Sequence, residues 1–167
     1  MNIDQDVMEI RSLLSNSEYE LALNKCDELI KLFPDAWNVY RMKADIYNDQ
    51  KNYKEEWEVR QHLIAVNSEE PSDYYDLTRL ALRLGYYREA VSMANMGISL
   101  CEKHNNLYYF QACYFYKANA LLSLKKYDEV ADACSHLDDG YGTYISNQGM
   151  VAKEDLIKKA LDQSDQK

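Results

Sequence analysis

The chain has 167 residues, 47% of them hydrophobic, with only five Gly and two Pro, a balance that suits a helical domain with short turns and excludes a disordered chain. Its net charge of −9 excludes a non-specific nucleic-acid binder, which draws on Lys and Arg to displace counterions. No apolar run approaches membrane-spanning length, and the opening MNIDQDVMEI lacks the basic and apolar blocks of a secretion signal. The expected setting is the cytoplasm, with no membrane and no nucleic-acid partner.

In chain order, Ile3, Val7, Ile10 and Leu14 recur at i, i+4, i+7 and i+11 and predict a helix over 3–15. Ser15-Asn16-Ser17 makes a turn, and a second helix runs to about Leu32 before Phe33-Pro34-Asp35. The stretch from Trp37 to Glu70 carries Lys43, Glu56 and Arg60 where a buried helix face is expected. Two readings stand for this set: long stems covering apolar surface with their heads in water or on each other, or a polar notch for a partner's charged side chain. Pro71 opens the next helix, where its missing N–H costs little, and Gly85 suits the left-handed residue that closes it. Asn105-Asn106 separates two long helices, about 87–104 and 107–124. The second holds Tyr108, Tyr109, Phe110, Tyr114, Phe115 and Tyr116. That is more than one helix face buries, so some rings are expected at a protein-contacting surface. After Leu137 the run DDGYGTY ends the last repeat helix. A capping helix follows over about 151–163, with Leu156, Ile157, Ala160 and Leu161 inward, then a frayed tail over 164–167. No strand is expected.

One sentence recurs along the chain. Tyr19 opens YELALNKCDELI, Tyr53 opens YKEEWEVRQHLI, Tyr87 opens YREAVSMANMGI and Tyr127 opens YDEVADACSHLD, in steps of 34, 34 and 40 residues. A fixed period of this length marks stacked two-helix units, none of which buries its apolar face alone. Numbered from sixteen residues before each tyrosine, the later units place Tyr40, Tyr74 and Tyr114 at position 4 and Ala44, Thr78 and Ala118 at position 8. Positions 20, 24 and 27 hold Ala22, Cys26 and Leu29, then Ala90, Ala94 and Gly97, then Val130, Cys134 and Leu137; Pro34 falls at position 32. In these positions the chain resembles the tetratricopeptide repeat (TPR) family over residues 3–144. The resemblance implies an all-α, right-handed superhelical α-solenoid of about four antiparallel helix pairs with a C-terminal capping helix. The expected organisation is a single domain over 3–163 with units at about 3–36, 37–70, 71–110 and 111–144.

The search for chemistry returns nothing. Cys26, Cys101, Cys113 and Cys134 are far apart with no CxxC, and read as small buried thiols. His62, His104 and His136 have no ligand set at a fitting spacing, and neither a phosphate loop nor a nucleophile elbow is present. No catalytic residue, metal or cofactor is expected, and no enzyme.

What remains is protein recognition. The family's concave groove is lined by positions 2, 5, 9, 12 and 13 of each first helix. Mapped here, this gives Asp4, Val7, Arg11, Leu14 and Ser15; Asn38, Arg41, Asp45, Asn48 and Asp49; Ser72, Tyr75, Arg79, Leu82 and Arg83; and Ala112, Phe115, Asn119, Leu122 and Ser123. These positions hold four arginines against three aspartates inside a strongly acidic chain, which leaves the acid on the outer faces. The clamp by which chaperone-tail-binding members hold a carboxylate is not reproduced, since Val7, Arg11, Met42, Ser72 and Asp76 stand at its positions. The expected role is a non-enzymatic adaptor, monomer or weak homodimer, that takes a segment of another protein in the groove. Two alternatives remain open: a bacterial immunity protein that neutralises a basic toxin domain through its acidic surface, and a secretion chaperone of the short TPR type.

Overall fold

The structure is a computed structural model and describes residues 3–66, 69–145 and 148–164. The last three residues of the expected tail lie outside them; Ser164 closes a helix. The elements run α1 (Ile3–Ser15), α2 (Tyr19–Leu32), α3 (Trp37–Asp49), α4 (Tyr53–Ala65), α5 (Pro71–Leu84), α6 (Tyr87–His104), α7 (Leu107–Ser123), α8 (Tyr127–Ser135), β1 (Gly142–Ile145), β2 (Gly149–Ala152) and α9 (Lys153–Ser164). They form two compact units, Met1–Glu69 and Glu70–Lys167.

The turn inside each helix pair repeats with the tyrosines. Ser17, Lys51, Gly85 and Lys125 all have positive φ, between 60° and 79°. The following residue donates its N–H five residues back: Glu18 to Leu13, Asn52 to Tyr47, Tyr86 to Ala81 and Lys126 to Leu121. This left-handed closure caps the orphan carbonyls of the first helix and reverses the chain within a few residues, so that the second helix runs antiparallel. Only one of the four positions holds the residue type that adopts this backbone freely.

In the first unit α1 packs on α2, α2 on α3 and α3 on α4, with α1 also touching α3. Ile10, Ala22, Cys26, Leu29, Val39 and Ile46 are fully buried and form its core with Val7. The fourth helix breaks the apolar rule. Glu56 and Arg60 are each only 2% exposed and face each other across one helical turn, Nε to Oε1 at 2.8 Å, while Arg60 Nη2 reaches Asp45 Oδ1 at 3.2 Å. The heads meet each other rather than water. Lys43 is separate, bonded to Asp27 on α2. The polar set is therefore an internal link between α3 and α4 rather than a notch open to a partner.

In the second unit α6 lies against both α5 and α7, and α8 and α9 continue the stack. Gly97 permits the close approach, because a Cβ there would sit 2.9 Å from Cys113 Sγ and 3.2 Å from Tyr74 Cβ. The helix α7 is covered on nearly every side: Ala112 through Tyr116, Ala118, Asn119, Ala120 and Leu121 are all buried.

Part of that cover is a two-stranded antiparallel hairpin, which overturns the expectation of no sheet. The register pairs Gly142 with Ala152, Thr143 with Val151, Tyr144 with Met150 and Ile145 with Gly149. Val151, expected to open the capping helix, is instead 3% exposed on β2, and α9 begins two residues later. Physical reasons for the hairpin are local. Gly140 and Gly149 take left-handed backbone, and Gly142 lies so close to β2 that a Cβ would stand 2.8 Å from Val151 O. The base is tied to α9 by Lys153 N–H to Tyr141 O (2.9 Å), Ala152 N–H to Asp155 Oδ2 (2.9 Å) and Lys153 Nζ to Asp139 Oδ1 (2.8 Å). That last contact holds the Asp139 carboxyl below its ordinary range and raises the Lys153 ammonium. Leu156 and Ala160 of α9 are buried as expected, whereas Leu161 is 61% exposed, because α9 presents only one narrow stripe to α7 and α8.

Candidate functional site

The nine groove residues separate into three groups. In the first unit, Arg11 and Arg41 come together on a cleft of about 340 Å³ that is also lined by Val7, Met8, Trp37, Asn38 and Met42. Trp37 is half-exposed, and the Arg41 guanidinium lies over its ring at 4.7 Å, a cation–π arrangement that helps to place the arginine. Asp45 is drawn away to Arg60, and Asn48 is half-buried near the end of α3.

In the second unit Arg79, Arg83 and Asn119 line one cleft of about 330 Å³. Leu82 and Ser123, also at groove positions, line it, together with Tyr87, Tyr116 and the hairpin residues Tyr144, Ile145 and Gln148. Two arginines and no carboxylate stand in this lining. Asp76 touches Arg79 from outside it, Oδ1 to Nη2 at 3.5 Å, and the Arg79 guanidinium lies 5.6 Å from the centre of the Tyr75 ring. Arg83 is exposed. Asn119 is 7% exposed, and among the described residues its side-chain amide makes no hydrogen bond. Its amide atoms remain within reach of solvent from the cleft and have donor and acceptor capacity to offer an incoming group.

The third group is structural. Phe115 was expected on the groove; it is fully buried, with its ring 5.7 Å from those of Tyr116 and Tyr141. The hairpin base covers the face on which the repeat pattern places it. Tyr75 is half-buried, with its ring 5.3 Å from Tyr109 and 5.7 Å from Tyr116. Burial, first of all, raises its hydroxyl well above the ordinary range. The aromatic excess on α7 thus has two destinations. Tyr108 stands 73% exposed, whereas Tyr114, Phe115 and Tyr116 go into the core beneath α8, α9 and the hairpin. His136 stacks on Tyr114 with ring centres 4.1 Å apart, and Phe110 packs edge-on against Tyr114.

Repeat arithmetic misses the hairpin side of the cleft, because Tyr144, Ile145 and Gln148 lie beyond the last repeat. The signal available was the oversupply of rings on α7, which calls for an additional covering layer. The four cysteines are buried and unbridged; burial pushes the Cys26 and Cys113 thiols up to about 12 and those of Cys101 and Cys134 to about 11. Thiols so far from ionisation are poor nucleophiles.

Comparison with solved structures identifies the architecture. YrrB, described as a TPR protein with an unusual peptide-binding site, superposes with a TM-score of 0.67 at 20% identity over 78% of this chain. The fold is the tetratricopeptide repeat. The match spans 64% of the YrrB chain. MamA gives a TM-score of 0.63 at 14% identity, covering 99% of this chain and 80% of its own. TPR-like repeats from Podosopora anserina give 0.65 at 14% identity, covering 99% of this chain and 88% of theirs. No protein-family model and no curated protein matches the sequence. Among the described residues, no helix of this chain is long and apolar enough to cross a membrane.

Proposed function

We propose that this TPR chain is a non-enzymatic protein-interaction module that takes a segment of another protein against its first-helix faces. The observation that carries this reading is the cleft of the second unit. There Arg79, Arg83 and Asn119 converge with Tyr87, Tyr116 and Tyr144, in a chain of net charge −9. Arginine and tyrosine supply large contact area with hydrogen-bonding tips, and they dominate binding energy at protein interfaces. The cleft of Arg11, Trp37 and Arg41 in the first unit has the same chemistry. That YrrB carries a peptide-binding site agrees with this use of the fold.

The test begins with a partner captured from the source cell. Arg79→Ala, Arg83→Ala and Arg41→Ala are each expected to weaken it by about 1–3 kcal/mol while leaving the melting temperature nearly unchanged. Tyr75 is not a clean probe, since its ring packs against Tyr109 and Tyr116. One observation favours a second reading, an acidic inhibitor of the immunity type: Glu20 and Glu28 on α2 and Asp128 and Glu129 on α8 are all exposed. In that case neutralising these acids, and not the arginines, slows association, with a strong salt dependence. Arginine variants that bind normally would remove the groove reading.

A further inference from the structure

We propose that Asp139–Gly140 is a site of spontaneous backbone modification, aspartate to isoaspartate, and that Lys153 and Glu154 at the start of α9 hold it dormant by engaging both reacting groups. The inference is independent of what the protein binds.

The sequence singles out this link. Of the five glycines, only Gly140 follows an aspartate or asparagine; the others follow Leu84, Met96, Tyr141 and Gln148. A glycine leaves its own backbone nitrogen unshielded by a side chain and free to swing onto the preceding carboxyl. The Asp139 side chain is fully exposed, so water reaches it. In the first step the Gly140 nitrogen attacks Asp139 Cγ. The N–Cγ bond forms, the nitrogen loses its proton, and the neutral carboxyl loses its hydroxyl, so one water departs and a five-membered succinimide closes. In the second step water adds to the ring carbonyl that came from the main chain, and that C–N bond breaks. The chain then runs through the β-carbon, one atom longer, with the old main-chain carbonyl now a free carboxylate. One water leaves and one enters; nothing is oxidised or reduced.

Each requirement of the first step meets a restraint. A carboxylate has no hydroxyl to lose, so the acid must be neutral. Lys153 Nζ donates to Asp139 Oδ1 at 2.8 Å and is itself anchored by Leu137 O at 3.0 Å. The ammonium beside it keeps the carboxyl ionised, below its ordinary range. The nitrogen must turn toward Cγ, yet Gly140 N–H is committed to Glu154 Oε1 at 3.2 Å. The backbone opposes closure as well. Tyr141 N–H donates to Asp138 O at 3.1 Å, which places Asp139 and Gly140 at the centre of a turn. The Gly140 φ of 71° marks a type II turn, whose first central residue has ψ of about +120°. That rotation holds the Gly140 nitrogen away from the Asp139 Cβ, where ring closure needs it. Isomerisation would break the Lys153 contact and displace the base of the hairpin whose residues Tyr144 and Ile145 line the second-unit cleft.

The experiment incubates the full chain at neutral pH and physiological temperature, folded and in urea. Samples are then digested under mildly acidic conditions, and isoaspartate at position 139 is counted by electron-transfer fragmentation. The folded parent should isomerise many times more slowly than the chain in urea. Lys153→Met and Glu154→Ala should each speed the folded reaction severalfold and leave the rate in urea unchanged. Glu154→Gln, which keeps an acceptor oxygen, should stay close to the parent. Melting curves verify that each variant is folded, and the exposed Glu154 pair carries the test should Lys153→Met fail to fold. A folded parent as fast as the unfolded chain, or Lys153→Met and Glu154→Ala both at the parent rate, would overturn the proposal. So would a slower Glu154→Ala, which would make Glu154 the base that takes the Gly140 proton rather than a restraint.

Discussion

The two units solve one packing problem in different ways. Each must bring a second helix close to its neighbours, and the repeat does this with small residues at positions 20, 24 and 27. In the second unit α6 obeys the rule with Ala90, Ala94 and Gly97, all of them buried. In the first unit α4 places Glu56 and Arg60 at the same positions, and they are buried too, as an ion pair tied to Asp45. The contrast shows that the repeat dictates the path of the backbone and not the chemistry at its contacts. A buried pair costs desolvation that its mutual attraction only roughly offsets, so it gives orientation and register more than stability. The second difference lies on the first-helix faces. In the second unit a hairpin from beyond the last repeat adds a wall to the face of α5 and α7; the cleft of the first unit is lined by α1 and α3 alone.

Four changes break or sharpen this comparison. Phe115→Ala should cost about 3–5 kcal/mol, the toll for emptying a buried aromatic site; a loss near zero in thermal or urea unfolding would mean that the hairpin does not cover the ring. Glu56→Ala should cost a similar 3–5 kcal/mol by leaving Arg60 charged in the interior, whereas Glu56→Leu with Arg60→Met should come close to neutral. A double change that costs the sum of the two single changes would show that the side chains act independently. Gly97→Ala presses a methyl group on Cys113 Sγ and Tyr74 and should cost about 1–3 kcal/mol. The smallest effect has the opposite sign. Ser17, Lys51 and Lys125 hold the left-handed closure with side chains that disfavour it, so each replacement by Gly should stabilise by something under about 1 kcal/mol. Gly85→Ala should destabilise by a comparable amount, and a melting curve of the triple glycine variant would show whether the increments add.

Much of the helical architecture was legible in the sequence, because the period repeats many weak positions in phase. Tyr19, Tyr53, Tyr87 and Tyr127 open the four second helices, and Ala22, Cys26, Ala90 and Ala94 are buried as their positions require. Arg79, Arg83 and Asn119 come from the same arithmetic, and the structure brings them to one cleft. What escaped lies where the period ends. Four-residue strands with a glycine at the start of each carry too little apolar alternation to stand out, and the core that takes up Val151 is built by residues of α7 and α8 earlier in the chain. Phe115 was misplaced for the same reason: its position is a groove position by repeat number, and the ring of Tyr141, just ahead of the unforeseen hairpin, packs against it. Leu161 illustrates a different limit, since a helix at the end of a stack has one neighbouring layer and buries a narrower face than its pattern offers.

The central claim is that the first-helix faces, with the hairpin as a wall in the second unit, receive the partner. Amide hydrogen exchange of the full chain with and without the captured partner tests it most directly. The account predicts slowed exchange over residues 79–83, 116–123 and 142–150, together with the start of α3 around Trp37 to Arg41, and no change over residues 20–28 of α2. Protection confined to α2 and the first turn of α8, with the hairpin exchanging as in the free protein, would contradict it.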